Sequence, residues 1–596
     1  MRIMNTETHS CQNCKVQFTI EPEDFVFYGK VKVPPPTWCP ECRLVRRLAW
    51  RNEMSLFKRP CDLCGEEKIL MYPPQSPHVV YCRSCWWSDK WNPETYAREF
   101  NSDKPFFEQF KELFLAVPRL GIIQQGVIVN SPYTNRVSDN KNCYLIFASA
   151  NNENCSYGTS VWSSKESMDN YNIHSSELCY ECIDCYGCSR LLYSRECNGC
   201  INSSFLLNCR NCNDCFGCVN LRNKSYCIFN EQFTKSEYQK RLTEFQFGNR
   251  IVIDEVRNRL AELAKKHIAP ALVEHHSVNV SGNWLEECKN VGGGFNCEKV
   301  EDGKYLFGII EAKDVMDYTY WGKSSEFIYE CSSIGRQCAS VLFSNECWDQ
   351  LIRAQYCSNC HSSSDLFGCV GLRKNQYCIL NKQYGKEEYE ELVAQILKQM
   401  NRVPYRDSLG KAYRYGDPFP LDLHPFAYNQ TIAQELFPIS KERALAQGYK
   451  WADPRERDYA VTLKPDEIPN TIEETKEQIS KETIGCLHGG QCNHQCTTAF
   501  RLAPEEFTFY KSMNIPVPQL CPNCRHFARL AQRTPIKLWR RNCSCAGQKS
   551  ENGIYINNAT QHFHGVVHCP NEFETSYAPE REEVVYCKQC YNAEVA

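Results

Sequence analysis

Apolar residues in the middle of this chain recur about every 15 positions, a spacing that belongs to neither a lone helix nor a lone strand. Leu191, Leu206 and Leu221 mark one column of the repeat. Cys182, Cys197, Cys212 and Cys227 mark another, and Cys185-Tyr186-Gly187-Cys188, Cys200-Ile201-Asn202-Ser203 and Cys215-Phe216-Gly217-Cys218 are in phase. The repeat runs from Cys155 to about Asn230 and is rich in Asn, Gly and Ser. A short fixed period of small and apolar residues predicts a β-solenoid, one coil per repeat, with stacked columns inside. A weaker second copy runs from about Asn296 to Asn381: Glu330-Cys331, Glu346-Cys347, Phe367-Gly368-Cys369 and Tyr377-Cys378-Ile379 echo the first. Helical spacing follows each copy, in Leu260, Leu263 and Ile268 and in Tyr389, Leu392, Ile396 and Met400, and predicts helices that cap the solenoids or pack on them.

Forty of the 596 residues are cysteine. Met1 to Ser10 has no apolar core of a signal peptide and no apolar run is long enough to span a membrane, so the expected compartment is the cytoplasm and no membrane partner is expected. Thiols stay reduced there, which favours metal thiolates and packed thiols over disulfides. The net charge of -3 confines any nucleic-acid contact to a local basic patch.

The cysteines at the two ends differ from the central ones. Cys11/Cys14, Cys39/Cys42, Cys61/Cys64, Cys82/Cys85, Cys521/Cys524 and Cys587/Cys590 have the two-residue gap of a tetrahedral zinc knuckle. The ends also repeat one another. Cys14, Cys39, Cys42 and Cys61 recur at one offset as Cys496, Cys521, Cys524 and Cys543, and Phe18, Pro22, Glu23, Phe25, Phe27 and Tyr28 recur as Phe500, Pro504, Glu505, Phe507, Phe509 and Tyr510. This pattern of a cysteine pair, an aromatic run and a second pair followed by arginine resembles the family of probable zinc-ribbon domains. The resemblance covers Cys11 to about Arg47 and Cys492 to about Arg529, and it implies zinc binding and no defined activity. Helical sequence after Cys42 and Cys524 brings the modules closer to a treble clef.

The metal ligands read from this pattern are Cys11, Cys14, Cys39, Cys42, Cys61, Cys64, Cys82, Cys85, Cys492, Cys496, Cys521, Cys524, Cys543, Cys545, Cys587 and Cys590. They would hold about four zinc ions. Two sites are irregular: Cys486 is an alternative to Cys492, and Cys569 or His564 is an alternative ligand in the last site. Central cysteines are replaced between the copies, Cys185 by Ile334 and Cys200 by Gln350, which suits packing better than ligation. Further zinc or iron–sulfur ligation by Cys179, Cys182, Cys185 and Cys188 is the rival reading.

No phosphate loop, dinucleotide fingerprint, nucleophile elbow or H-E-x-x-H motif is present, and no catalytic residue is named. The layout is also similar to cysteine-rich bacterial proteins sometimes labelled CaiB/BaiF-type CoA-transferases. That label implies an α/β enzyme with an aspartate nucleophile, which this cysteine pattern does not resemble. Arg43, Arg47 and Arg51, and equally Arg525, Arg529 and Arg533, are spaced by four on predicted helices beside a knuckle, which makes them candidates for RNA or DNA backbone contact.

The sequence thus reads as a multidomain protein: zinc-ribbon or treble-clef modules at both ends flank a β-rich, solenoid-like repeat region with helical caps. The expected domains are modules at 1–58 and 59–115, repeat copies with caps at 130–270 and 271–402, a linker at 403–483, and modules at 484–541 and 542–596. The expected function is a zinc-binding, non-enzymatic scaffold with RNA, a ribonucleoprotein or DNA as partner. The alternatives are a protein-assembly scaffold acting through the solenoid surface, and a thiol-redox or metal-handling enzyme using the central cysteines.

Overall fold

The computed structural model describes residues 5–245, 247–301, 303–304, 310–320, 322–453 and 459–595. They form two compact units. Met1–Ile123 joins Leu272–Ala452, and Gln124–Ala271 joins Asp453–Ala596. Each unit therefore holds one solenoid and the modules of one chain end.

The fold class is the one the sequence indicates, but the coil is shorter than 15 residues. In the first solenoid, parallel pairing advances by twelve: Thr159 pairs with Tyr171 and Tyr171 with Ile183. The ladder continues through Arg195, Leu207 and Val219. In the second solenoid, Glu326 pairs with Ala339 and Ala339 with Ile352, then Ile352 with Ser364 and Ser364 with Gln376, so coils of thirteen give way to coils of twelve. The first solenoid also begins upstream of its first cysteine, at the strand Gln124–Val129.

A three-residue unit explains the coil of twelve and the apparent period of fifteen in the first solenoid. Every third residue is left-handed: Asn142, Leu145, Ala148, Asn151, Asn154, Tyr157 and Ser160 all have positive φ, and the series runs on through Phe229 with glycine at 187, 199 and 217. The left-handed column of the first solenoid carries Asn, Asp, Ser and Gly but no Val, Ile or Thr, the residues for which that conformation costs most. The residue that follows each corner points inward. Cys143, Ile146, Cys155, Val161, Ile173, Cys179, Cys182, Cys185 and Cys188 all lie in this register and form one core. Four such units make one coil. A period of fifteen is five units, so it keeps inward positions in phase while skipping a coil corner.

Inward residues also aim their backbone N–H groups into the core, and side chains one coil earlier accept them. Cys179 N–H donates to Ser167 Oγ, Cys182 to Asn170 Oδ1, Leu206 to Ser194 Oγ and Cys215 to Ser203 Oγ. Serine hydroxyls in turn donate to the carbonyl two residues back, as Ser194 does to Leu192. Cysteines do the same: Cys182 Sγ donates to Tyr180 O at 3.6 Å and Leu191 O at 3.2 Å, and it accepts the N–H of Ser194. A thiol thus satisfies an amide as serine does while filling the core as a small hydrophobe. Burial favours the protonated form where no neighbouring thiol intervenes, pushing Cys143 up to about 11 and Cys331 up to about 12.

Each solenoid is capped at its C-terminal end. The strand Glu231–Gln232 turns back antiparallel on the last coil, and Ile253 and Val256 of the helix Arg250–Lys265 join a core with Phe205, Phe216 and Phe229. In the other unit the strand Lys382–Gln383 and the helix Lys386–Arg402, with Ile396 and Met400 buried, do the same. The segment read as a linker is core. Phe419, Leu421, Leu423 and Phe426 are buried, and Phe419 stacks on Phe110 at 4.8 Å. Ile468, Ile472 and Ile479 pack with Phe507 and Tyr510 in the other unit.

Replacing Cys182 by Val removes the acceptor for Ser194 and is expected to destabilise the protein by about 1–3 kcal/mol, whereas Cys182→Ser costs less. Chemical denaturation of the two variants checks this order.

Candidate metal centres

Four cysteine tetrads are built on one plan. A β-hairpin presents the first two ligands and the start of a helix presents the last two. The hairpin of Glu7–Ser10 and Gln17–Ile20 carries Cys11 and Cys14, and the helix Pro40–Leu48 begins between Cys39 and Cys42. The hairpin of Phe57–Pro60 and Glu67–Leu70 and the helix Arg83–Trp86 do this for Cys61, Cys64, Cys82 and Cys85. The third site uses the pair Ile484–Gly485 with Ala499–Phe500 and the helix Pro522–Leu530, and the fourth uses Trp539–Asn542 with Glu572–Thr575 and the helix Lys588–Val595.

In each tetrad the sulfur atoms lie within 4.8 Å of one another. One hydrogen bond recurs in all four: the N–H of the cysteine that opens the helix donates to the first cysteine of the hairpin. These are Cys39 to Cys11, Cys82 to Cys61, Cys521 to Cys486 and Cys587 to Cys543, at 3.2, 3.2, 3.3 and 3.2 Å. Side-chain amides add to this, Asn13 to Cys42 Sγ and Asn571 to Cys587 Sγ, each at 3.4 Å. Such donors and the positive end of a helix favour thiolate over thiol. Four sulfurs at this spacing, once deprotonated, could hold one metal ion.

The first two tetrads contain the residues named from spacing. In the third, Cys486 stands with Cys496, Cys521 and Cys524. Cys492 lies in a second group with His488, His494 and the same Cys524. In the fourth, Cys569 stands with Cys543, Cys587 and Cys590, and its sulfur is 3.9 Å from that of Cys587. Cys545 faces His562 Nδ1 at 3.9 Å and accepts from Asn557, while His564 Nε2 lies 3.3 Å from Cys590 Sγ. Spacing misled here because the hairpin loop from Cys545 to Cys569 is long, so the ligand that closes the site is remote in sequence. His488 and His494 were not singled out from the sequence, although His488-Gly-Gly-Gln-Cys492-Asn-His494 is the available signal.

The six arginines do not form a solvent face. Arg43 donates to Asp317 at 2.5 Å, and Arg47 bridges Asp317 and Glu330 at 3.3 and 3.1 Å. Arg46 meets Glu330 at 2.8 Å, and Arg51 pairs with Glu53. In the other unit Arg525 and Arg529 converge on Asp169 at 3.3 and 2.8 Å, and Arg533 meets Asp184 at 2.8 Å. Each of these six side chains is no more than 5% exposed. The expectation of six arginines displayed for phosphate is corrected accordingly. They dock the knuckle helix onto the solenoid of the same unit, at left-handed corners occupied by Asp169, Asp184, Asp317 and Glu330. Aromatic rings complete the seat: Arg51 lies over Tyr320 at 4.0 Å, Arg525 over Tyr157 at 4.7 Å and Arg533 over Tyr171 at 4.8 Å. Burial would push Glu330 up, but Arg46, Arg47 and Arg43 hold it below the usual carboxylate range.

No family model matches the chain, and no curated protein matches it. Among solved structures, one assigned provisionally as an acetyltransferase from Desulfovibrio desulfuricans G20 aligns with 49% of this chain and 85% of its own at 10% identity. Its TM-score is 0.09, so it carries no fold argument. Among the described residues, no helix is long and apolar enough to cross a membrane.

Two outcomes follow. Cys569→Ser should lower the bound metal by one ion per chain while Cys545→Ser retains it, as read by elemental analysis of the purified protein. In a double-mutant cycle, Asp169→Ala should destabilise the fold by about 3–5 kcal/mol, because it leaves Arg529 without its carboxylate, and Arg529→Ala by less, because Arg525 still faces Asp169; the pair should cost less than the sum.

Proposed function

We propose that this protein is a zinc-stabilised, non-enzymatic scaffold in which treble-clef modules clamp a β-solenoid in each unit. The observation that carries this reading is the engagement of both arginine clusters by solenoid carboxylates. A helix whose cations are buried in ion pairs serves assembly of its own unit, and its affinity for a phosphate backbone would require undocking it. The resemblance of both ends to zinc-ribbon domains supports zinc as the metal. So does the donor set, since four thiolates make a closed, electron-rich site suited to structure and leave no position for a substrate. Metal binding would supply folding free energy that hairpins of four residues or fewer per strand lack. The solenoids supply the extended surface that a scaffold presents to other proteins.

The test separates scaffold from nucleic-acid binder. Stripping zinc with a strong chelator should lower the melting temperature of the full chain, and restoring zinc should recover it. Arg43→Glu with Arg525→Glu should lower that temperature too and leave any RNA affinity, measured across a salt series, unchanged. Salt-dependent RNA binding that this double variant abolishes while its melting temperature holds would replace the scaffold reading with nucleic-acid recognition.

A further inference from the structure

The third module departs from its N-terminal counterpart in one place. Only Gln12 and Asn13 stand between Cys11 and Cys14, whereas Leu487 through Gln495 stand between Cys486 and Cys496. The two pairs are otherwise equivalent, each with its first cysteine accepting the N–H of the helix-opening cysteine. The longer loop brings three side chains with metal-binding chemistry: His488, Cys492 and His494. It is tightly folded rather than slack. Gly489 N–H donates to Cys486 O at 2.8 Å, Gln491 N–H donates to His488 O at 2.9 Å, and Leu487 N–H ties the loop to Gln519 O at 3.0 Å. Gly489 and Gly490 both have positive φ, which lets the chain reverse so that His488 and Cys492 face the same point.

That point is beside Cys524. The donor atoms of His488, Cys492, His494 and Cys524 all lie within 4.8 Å of one another, and Cys492 Sγ is 3.6 Å from Cys524 Sγ. The two imidazoles are 5.5 Å apart, and His494 is held by stacking on Phe527 of the knuckle helix at 4.9 Å and 7°. Both histidines leave Nδ1 buried and without a hydrogen-bond partner. A buried ring nitrogen with no partner is costly, and each of these two rings also brings a nitrogen within 4.8 Å of the same two thiols.

We propose that the third module holds a second metal ion, bound by His488, Cys492, His494 and Cys524, so that Cys524 bridges two ions. The proposal rests on reading the four-cysteine tetrads as metal centres. The chemistry of the donors fits a divalent cation of the zinc class: two neutral imidazoles and two thiolates form a closed tetrahedral set. A thiolate has lone pairs enough for two metals, and Cys524, in the first turn of the helix Pro522–Leu530, sits where the helix dipole favours negative charge. The second ion also eases electrostatics. One divalent ion among four thiolates leaves two surplus negative charges, whereas two ions among five thiolates leave one. The module becomes a binuclear cluster whose loop is ordered by the ion it binds.

The experiment uses the full chain purified with zinc. Elemental analysis and native mass spectrometry should show one ion fewer per chain in His488→Ala with His494→Ala, and again in Cys492→Ser, with melting temperature falling only slightly. In protein exchanged with cadmium-113, the resonance of the four-sulfur site that contains Cys524 should be split by coupling to a second cadmium through the shared thiolate, and the splitting should vanish in the histidine variant. This last reading uses the wild type and does not depend on a variant folding. Unchanged metal content in both variants together with an unsplit cadmium signal overturns the proposal. Cys521→Ser, which alters only the four-cysteine set, tells the two ideas apart: loss of an ion there with none lost in the histidine variant defeats the second site alone, while no loss in Cys521→Ser defeats the reading on which it rests.

Discussion

The first constraint on this molecule is an amide that points inward. A coil made of three-residue sides turns every inward residue's N–H toward the core, where no neighbouring strand can receive it. For Cys179, Cys182, Leu206 and Cys215 the acceptor is a side chain one coil earlier, short enough to fit the core. Serine, asparagine and cysteine meet that demand, and they fill the inward columns with Ile, Val and Leu between them. This geometry gives cysteine in the middle of the chain a place as a small core residue that also accepts an amide.

The same thiol does different work at the ends. There it stands on hairpin turns and first helical turns, where backbone N–H groups and helix dipoles favour the thiolate. Four such sulfurs gather in each tetrad, and the hydrogen bond from the helix-opening cysteine to the first hairpin cysteine fixes their spacing. The contrast is one of surroundings. In the solenoid, thiols such as Cys143 and Cys331 donate to carbonyls and burial pushes their pKa up; in the modules the first cysteine of each tetrad accepts from the amide of the helix-opening cysteine, which favours the thiolate a metal would need.

Arginine joins these two parts within each unit. Asp169 and Asp317 occupy solenoid corners and each receives two arginines from a knuckle helix. Because the carboxylates and guanidiniums are nearly inaccessible to water, removing Asp169 leaves Arg529 a buried charge without its carboxylate. Docking is therefore specific to the helix that carries the matching arginines, which are repeated at both ends of the chain.

Local spacing was enough to reveal the first two cysteine tetrads, the repetitive β-rich middle and its helical caps, because each depends on residues close in sequence. The period was legible only as a multiple of its true unit, since inward residues at every third position keep many longer spacings in phase. The absence of Val, Ile and Thr from every third position was the sharper signal, as only a left-handed corner excludes them there. The tertiary structure decided what spacing could not. It placed Cys486 with Cys496, Cys521 and Cys524, and Cys569 with Cys543, Cys587 and Cys590, because long hairpin loops return remote residues to one point. It also buried the arginines, because the acids that receive Arg43, Arg47, Arg529 and Arg533 lie hundreds of positions away in sequence and meet them only when the module docks.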